Sequence, residues 1–283
     1  MRSTSLLAGS SVYCRFIYFD VRGAGELCRL TLAASGTEWQ DVRYPMAIGK
    51  SGFVPGKEYQ SDKQLGGFRV NMGNLPILQV VEKSTNEKSP VVKHTLGQSH
   101  SICRFIAQQS AALGGQGKLD AIQQCQVDAI YECCRDMKAS WFQARRQGSN
   151  AKKDWLLKPA ATDEEDIHHL PSFCQKLEKS LDACKSVESS TKVSDPSSSS
   201  SSSSPFCLNT KFPTLADLAI YHLLATPEPS VVTGAVPSFF DGETESVRAA
   251  FQDSCPRIKR CVQAVGELQE IQKWERKRPE TFT

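Results

Sequence analysis

Tyr13-Cys14-Arg15-Phe16-Ile17-Tyr18 is rich in aromatic and β-branched residues and reads as a buried strand. Asp20 to Gly25 follows as a glycine-containing turn. Glu26 to Ser35 then sets Leu27, Leu30, Thr31 and Ala34 at helical spacing, and Gly36 stops the helix. Further along, Trp39 to Tyr44 reads as a second strand and Pro45 to Gly67 as a long, irregular, exposed loop. Leu75 to Val81 predicts a third strand, Glu82 to Lys88 a polar turn and Val91 to His94 a fourth strand. Ser99 to Ser110 predicts a helix, with Ile102, Cys103, Phe105 and Ile106 on one apolar face.

The order is therefore βαβ, then a β-hairpin, then α. A parallel βαβ followed by ββα is the thioredoxin plan, so residues 13–112 are expected to form an α/β thioredoxin-like domain. Gly114-Gly115-Gln116-Gly117 reads as a flexible linker within residues 113–118. Beyond it no strand pattern of any length recurs. Leu119 to Arg146 predicts one long helix, with Ile130, Cys134, Met137 and Trp141 on one stripe. Asp163 to Ser186, Thr214 to Leu224 and Pro256 to Trp274 predict three more helices, making residues 119–283 an all-helical domain. Ser197 to Ser204 is an unbroken serine run between Pro196 and Pro205. Such a run has no apolar area to bury against its ordering entropy, so residues 189–205 are expected to be a disordered loop. Residues 1–12 are expected to be a disordered extension, a weak organelle-targeting peptide being the alternative.

The chain has 283 residues, comfortable for two domains, and its 40% hydrophobic and 23% charged content is that of an ordinary globular protein. A net charge of +3 is too small to imply a nucleic-acid partner. The densest basic cluster, Lys273-Trp274-Glu275-Arg276-Lys277-Arg278, reads as a solvated helix end. The 11 cysteines are odd in number and contain no Cys-x-x-Cys pair. That pattern fits reduced thiols and argues against a disulfide framework, a zinc site or a dithiol oxidoreductase. No apolar run reaches the roughly 18 residues needed to span a bilayer, so no membrane partner is expected. His168 and His169 are adjacent and diverge on a helix, which makes them surface residues in this reading.

Tyr18-Phe19-Asp20-Val21-Arg22-Gly23, with Glu26-Leu27-Cys28-Arg29-Leu30 after it, resembles the first strand and helix of glutathione transferases that use a catalytic tyrosine. Gly73-Asn74-Leu75-Pro76-Ile77-Leu78 resembles their cis-proline strand, and Gln98-Ser99 their γ-glutamyl-binding pair. Val127-Asp128-Ala129-Ile130 and Trp274-Glu275-Arg276-Lys277-Arg278-Pro279-Glu280-Thr281 are similar to the sigma class, which includes the haematopoietic-type prostaglandin D synthases. These motifs run in the expected order from about Tyr13 to Thr283. The resemblance implies a thioredoxin-like domain followed by an all-α domain, with glutathione as co-substrate and no other cofactor. It also implies a hydrophobic electrophile as second substrate, a homodimer, a cytoplasmic location and a role in detoxification. Two rival functions accompany it: a non-catalytic, S-crystallin-like binding or structural relative, and a sigma-type prostaglandin isomerase.

Under that resemblance each motif acquires a chemical reading. The thiol of glutathione has a pKa near about 8.5 and is mostly unreactive at neutral pH. A hydrogen-bond donor to the thiolate lowers that pKa, and tyrosine suits the task because its own pKa of about 10 keeps it protonated. Tyr18 ends the first strand; alone it would read as a core aromatic, but with the other motifs it reads as catalytic. A cis Leu75-Pro76 bond would present the Leu75 N–H and C=O to the cysteinyl part of glutathione as to an added strand. Ser99 opens a helix, where a hydroxyl and unpaired N–H groups hold an anion such as the γ-glutamyl carboxylate; a plain N-cap serine fits equally. Gln98 is expected at the γ-glutamyl backbone, Asn74 at the cysteinylglycine end, and Tyr59 with Lys63 in the positions of the family's Trp and Lys. Asp136 is implied to reach the γ-glutamyl ammonium of the partner subunit; the alternative is a solvated acidic stripe of Asp128, Glu132 and Asp136. Arg135 within that stripe disfavours a divalent cation, so no metal is expected. Thr214-Leu215-Ala216-Asp217 fits a capping box with a structural role. Phe19, Gly23, Ala24, Ser140 and Gln143 are expected to line the electrophile pocket. Ala24 stands where many tyrosine-type classes carry an arginine, so the thiolate is expected to lack a nearby cation.

Overall fold

A computed structural model describes residues 6–7, 11–49, 52–83, 90–158, 169–184, 204–225, 246, 250 and 254–279. Of the expected extension at 1–12, residues 1–5 and 8–10 lie outside these residues and Val12 already opens the first strand; nearly all of the serine-rich loop at 189–205, His168 and most of the turn at 82–88 also lie outside. Two compact units are present: Met1–Lys118 with Gln269–Thr283, and Leu119–Leu268.

In the first unit, β1 (Val12–Phe19) buries Cys14, Phe16 and Tyr18 on one face, as a strand of side-chain period two must. Helix α1 (Glu26–Ser35) ends at Gly36, whose φ of 69° closes the helix in the left-handed region. The crossover lays β2 (Trp39–Tyr44) parallel to β1. β5 (Ile77–Glu82) is antiparallel to β1, and β6 (Val91–Gly97) is antiparallel to β5, giving the sheet order β2-β1-β5-β6. Helix α3 (Ser99–Gln109) follows, with Ile102, Cys103 and Ile106 buried. This is the thioredoxin-like plan expected from the sequence.

Three expectations need correction. The stretch Pro45 to Gly67 is not an irregular loop: it contains a hairpin of β3 (Met46–Gly49) and β4 (Gly52–Pro55), then helix α2 (Lys57–Gln64). Both strands are too short to show alternation, and α2 buries only Tyr59, so neither carries a periodic signal. Gly114 to Lys118 is not a loose linker. It is a hydrogen-bonded turn, with Gly115 N donating to Ser110 O at 2.8 Å and Gln116 N to Gln108 O at 3.0 Å. Pro256 to Trp274 is not one helix but two, α8 (Pro256–Gly266) and α9 (Gln269–Lys277). Helix α9 belongs to the first unit, where Trp274 lies 5.2 Å from Trp39 between ring centroids and bonds Glu26 of α1, so the helical unit ends at Leu268.

The second unit consists of helices among its described residues. In α4 (Ala121–Gln147) the expected stripe of Ile130, Cys134, Met137 and Trp141 is buried, and Asp120 with Gln123 forms a capping box. Helix α5 (Ser149–Leu157) has no counterpart among the sequence expectations; α6 (Leu170–Ala183) and α7 (Leu215–Leu224) follow it, ahead of α8. The capping box of α7 is present: Asp217, fully buried, accepts from Thr214 N and Thr214 Oγ1, both at 2.7 Å. Its other oxygen accepts from Cys207 N at 2.7 Å and Cys261 Sγ at 3.1 Å. The buried Glu178 carboxylate accepts from Arg257 N at 2.8 Å and Ile258 N at 3.0 Å, placing negative charge at the α8 N-terminus.

Candidate active site

Strand register gathers the predicted residues at one end of the sheet. Ile17 pairs with Ile77, and Ile77 with Gly97. The next residue on β1 is Tyr18, the residue before Ile77 is Pro76, and the residues after Gly97 are Gln98 and Ser99. Sequence-distant groups thus share one edge because antiparallel β5 enters where β1 and β6 leave.

Tyr18 is held there closely. Its hydroxyl accepts the Ala24 N–H at 3.1 Å, which leaves the phenolic proton for another acceptor. The turn can pass this near only because Gly23 and Gly25 have no side chains: a methyl group at Gly23 would stand 2.8 Å from the Tyr18 hydroxyl, and one at Gly25 2.4 Å from Cδ1. Burial raises the phenol's pKa, partly opposed by the Ala24 N–H and the Arg29 guanidinium, so Tyr18 is protonated at neutral pH. Arg29 of α1 lies 5.6 Å from the Tyr18 ring centroid.

The Leu75-Pro76 peptide bond is cis, as the resemblance implied. Asn71, buried, donates from Nδ2 to Pro76 O at 3.0 Å and so fixes the turn. Regular pairing of β5 begins only at Ile77, beyond Leu75. Asn74 is exposed and donates to Met72 O at 3.3 Å. Exposed Lys63 passes over Gly73, where a methyl group would meet its Cε at 3.6 Å, and its Nζ lies 5.7 Å from the Tyr59 ring centroid. Tyr59 itself is core, stacked on Phe68 at 5.2 Å and meeting Phe19 edge-on at 4.8 Å. The same cluster receives Tyr44, whose hydroxyl bonds the Asp62 carboxylate.

Gln98 has φ 68° and ψ 117°, a conformation that favours glycine, yet a glutamine occupies it at the entry to α3. Such outliers persist where surrounding structure over-determines them and concentrate at ligand sites. Gln98 is exposed and Ser99 half-buried, with Ser99 O accepting from Cys28 Sγ at 3.4 Å.

In the second unit, Asp136 is exposed and lies 3.5 Å from Arg135, which also pairs with Glu132 at 2.9 Å. Among the described residues no His, Cys, Asp and Glu cluster could hold a metal ion. Ser140 accepts from Trp155 Nε1 at 2.8 Å. Ser140 and Gln143 line a cavity of about 320 Å³ with Asp154, Trp155 and His169. His169 is therefore half-buried in a cavity wall, contrary to the surface role expected of it; it precedes Leu170, where α6 begins, and so stands at the helix entry rather than within a helix.

Sequence reasoning quoted Glu26, Arg29 and Arg278 within its motifs but gave none of them a role at the site. Trp274 Nε1 and Arg278 both donate to Glu26 Oε1, at 3.1 and 3.0 Å. Burial alone would raise the Glu26 pKa, but Arg278, Arg29, Arg22 and the Trp274 bond outweigh it and hold the carboxyl below its usual value. The one available signal was the pairing of Glu26 and Arg29 three residues apart within an apolar helix.

No family model matches the chain. The probable glutathione S-transferase 7 of Caenorhabditis elegans is 31% identical over 125 residues, 44% of this chain and 47% of that protein. Glutathione S-transferase 1 of Ascaris suum is 26% identical over 270 residues, 94% of this chain and 97% of that protein. The aligned stretch thus spans about half the length of the C. elegans relative, 47%, and nearly all of the Ascaris one, 97%. Among solved structures, monomeric Na-GST-3, a glutathione S-transferase from Necator americanus, is similar with a TM-score of 0.57 at 21% identity over 95% of this chain and 98% of that one. Rat hPGDS complexed with a quinoline has a TM-score of 0.54 at 19% identity, covering 96% of this chain and 100% of that one. At such identities the structural likeness shows the fold alone. In sequence and fold the chain matches glutathione transferases broadly and favours no single class, sigma included.

Proposed function

We propose that this chain is a glutathione transferase in which the Tyr18 hydroxyl stabilises the glutathione thiolate for attack on a hydrophobic electrophile. The observation that carries the reading is the Tyr18 hydroxyl itself. It is fixed by the Ala24 N–H with its own proton left to donate, at the sheet end that also carries Leu75-Pro76 and Gln98-Ser99. A phenol donating to the thiolate favours the charged form and raises the reactive fraction at neutral pH. The Leu75 backbone pairs with the cysteinyl segment, Gln98 and Ser99 hold the γ-glutamyl end, and Asn74 and Lys63 meet the glycyl end, with Tyr59 supporting Lys63. Gly23 and Ala24, nearest the hydroxyl, contact the electrophile.

The reading includes a homodimer in which Asp136 of one protomer meets the γ-glutamyl ammonium held by its partner. Na-GST-3 is described as monomeric, so this part needs its own test. Asp136→Ala should weaken glutathione binding by about 1–3 kcal/mol. A mixed dimer of Tyr18→Phe and Asp136→Ala subunits should keep about half the wild-type activity, because one site then carries both defects and the other none. The whole proposal is tested by glutathione-affinity retention together with conjugation of an aromatic halide. Retention with conjugation supports it; retention without conjugation favours a non-catalytic relative, and loss of both rejects it.

A further inference from the structure

Arg29 is fully buried, and a buried guanidinium is tolerated only when its donors and charge are matched. Its Nε lies 3.1 Å and 3.2 Å from the two Asp41 oxygens on β2. Its NH1 donates to Val21 O at 2.8 Å, and its NH2 to Phe19 O at 3.1 Å. It is one link in an alternating series of charges: Asp20–Arg43 at 2.8 Å, Arg43–Asp41 at 2.7 Å, Asp41–Arg29 at 3.1 Å, Arg29–Glu26 at 3.8 Å and Glu26–Arg278 at 3.0 Å. The Asp41 carboxylate bridges the two arginines beside it. The series ties β2, the turn after β1, helix α1 and the C-terminal segment of the first unit together.

The acceptors chosen by Arg29 point to Tyr18. Phe19 O belongs to the residue after it, and Val21 O to the turn that carries the Ala24 N–H. The guanidinium carbon also faces the rings of Phe16 and Tyr18, 5.5 and 5.6 Å from their centroids. One carboxylate would suffice to neutralise the charge. A planar fork is needed to hold two carbonyls and a carboxylate at once, which lysine's ammonium does not do.

We propose that Arg29 is a positioning residue for Tyr18, fixing the strand end and the turn that together aim the Tyr18 hydroxyl. The proposal rests on Tyr18 as the thiolate-stabilising group. Arg29 acts through Tyr18 and touches no substrate, so its effect must vanish when the hydroxyl is absent.

The test is a double-mutant cycle of Arg29→Lys and Tyr18→Phe, read as aromatic-halide conjugation and as the titration of bound glutathione. Arg29→Lys should lower kcat roughly tenfold, leave the glutathione KM within about twofold and raise the apparent thiol pKa. In the Tyr18→Phe background the same change should cost less than about twofold and leave the thiol titration unmoved. Equal losses in both backgrounds would make Arg29 a purely structural residue and overturn the proposal while leaving the Tyr18 reading intact. A Tyr18→Phe protein as active as wild type would overturn both. If Arg29→Lys does not fold, the cycle is run with Asp41→Asn, which loosens Arg29 without removing it. Coupling to Tyr18 is again the expected result, and additivity the contrary one.

Discussion

Replacing Gly25 with alanine adds one methyl group against the flank of the Tyr18 ring. Gly25 has φ −86° and ψ −24°, a right-handed conformation that alanine adopts freely, so the backbone is not strained. The added carbon would lie 2.4 Å from Tyr18 Cδ1, where ordinary contact begins at 3.4 Å, so the ring must retreat by about 1 Å. Overpacking of this kind costs about 1–3 kcal/mol, offset by about 0.4–1 kcal/mol from the stiffer unfolded chain. That loss is small beside a typical stability of about 5–15 kcal/mol, so the variant should fold. The rate should suffer more. A misplacement of about 1 Å can cost up to about 100-fold, and here it moves the hydroxyl away from both the Ala24 N–H and the thiol. Steady-state kinetics with glutathione and an aromatic halide should show kcat down by about 10- to 100-fold, with the glutathione KM little changed. A kcat within about twofold of wild type, in a folded protein with an unchanged thiol titration, would refute the argument that hydroxyl placement limits the reaction.

Other outcomes follow from the same geometry. Gln98→Gly removes an unfavourable φ of 68° and should raise stability by about 1 kcal/mol while weakening glutathione binding, as read by thermal melts and calorimetric titration; unchanged affinity would count against Gln98 as a contact. Because the Glu26 carboxyl is held below its usual pKa, it contributes stability above about pH 4.3 that is lost as pH falls through its folded value. Glu26→Gln should therefore be less stable at neutral pH, with the gap to wild type closing in acid; a gap independent of pH would contradict the assignment. Asp217→Ala strands the donors of Thr214 and Cys207 in the core and should cost about 3 kcal/mol or more in chemical denaturation. A loss below about 1 kcal/mol would show that the capping box is dispensable.

The strand-helix-strand at the start of the chain was legible because its burial follows the periods its residues display, and Gly36 marks the stop. The region from Pro45 to Gly67 was not, because α2 turns a polar surface outward and rests on Tyr59 alone. The break between α8 and α9 was not legible either, because Leu268, Ile271 and Trp274 carry the apolar spacing of Ile258, Cys261 and Val265 straight through it. At the site, Tyr18, Leu75-Pro76 and Gln98-Ser99 could be recognised because each is a local motif. Arg29 had only its spacing from Glu26 to mark it, and a charge in a helix ordinarily reads as solvent-facing. Its burial depends on Asp41, on the backbone oxygens of Phe19 and Val21, and on a Glu26 that is itself held by Arg278 from the far end of the chain.

The most direct test of Tyr18 as thiolate stabiliser is the ultraviolet titration of glutathione bound to the wild-type protein and to Tyr18→Phe. The free thiol titrates near about 8.5, and a charge-assisted hydrogen bond from the phenol is worth more than about 1.5 kcal/mol, or about one pKa unit. The wild-type complex should therefore titrate at least about one unit below the free thiol, and the Tyr18→Phe complex should move back toward it with glutathione affinity preserved. Identical titrations in the two proteins would contradict the account.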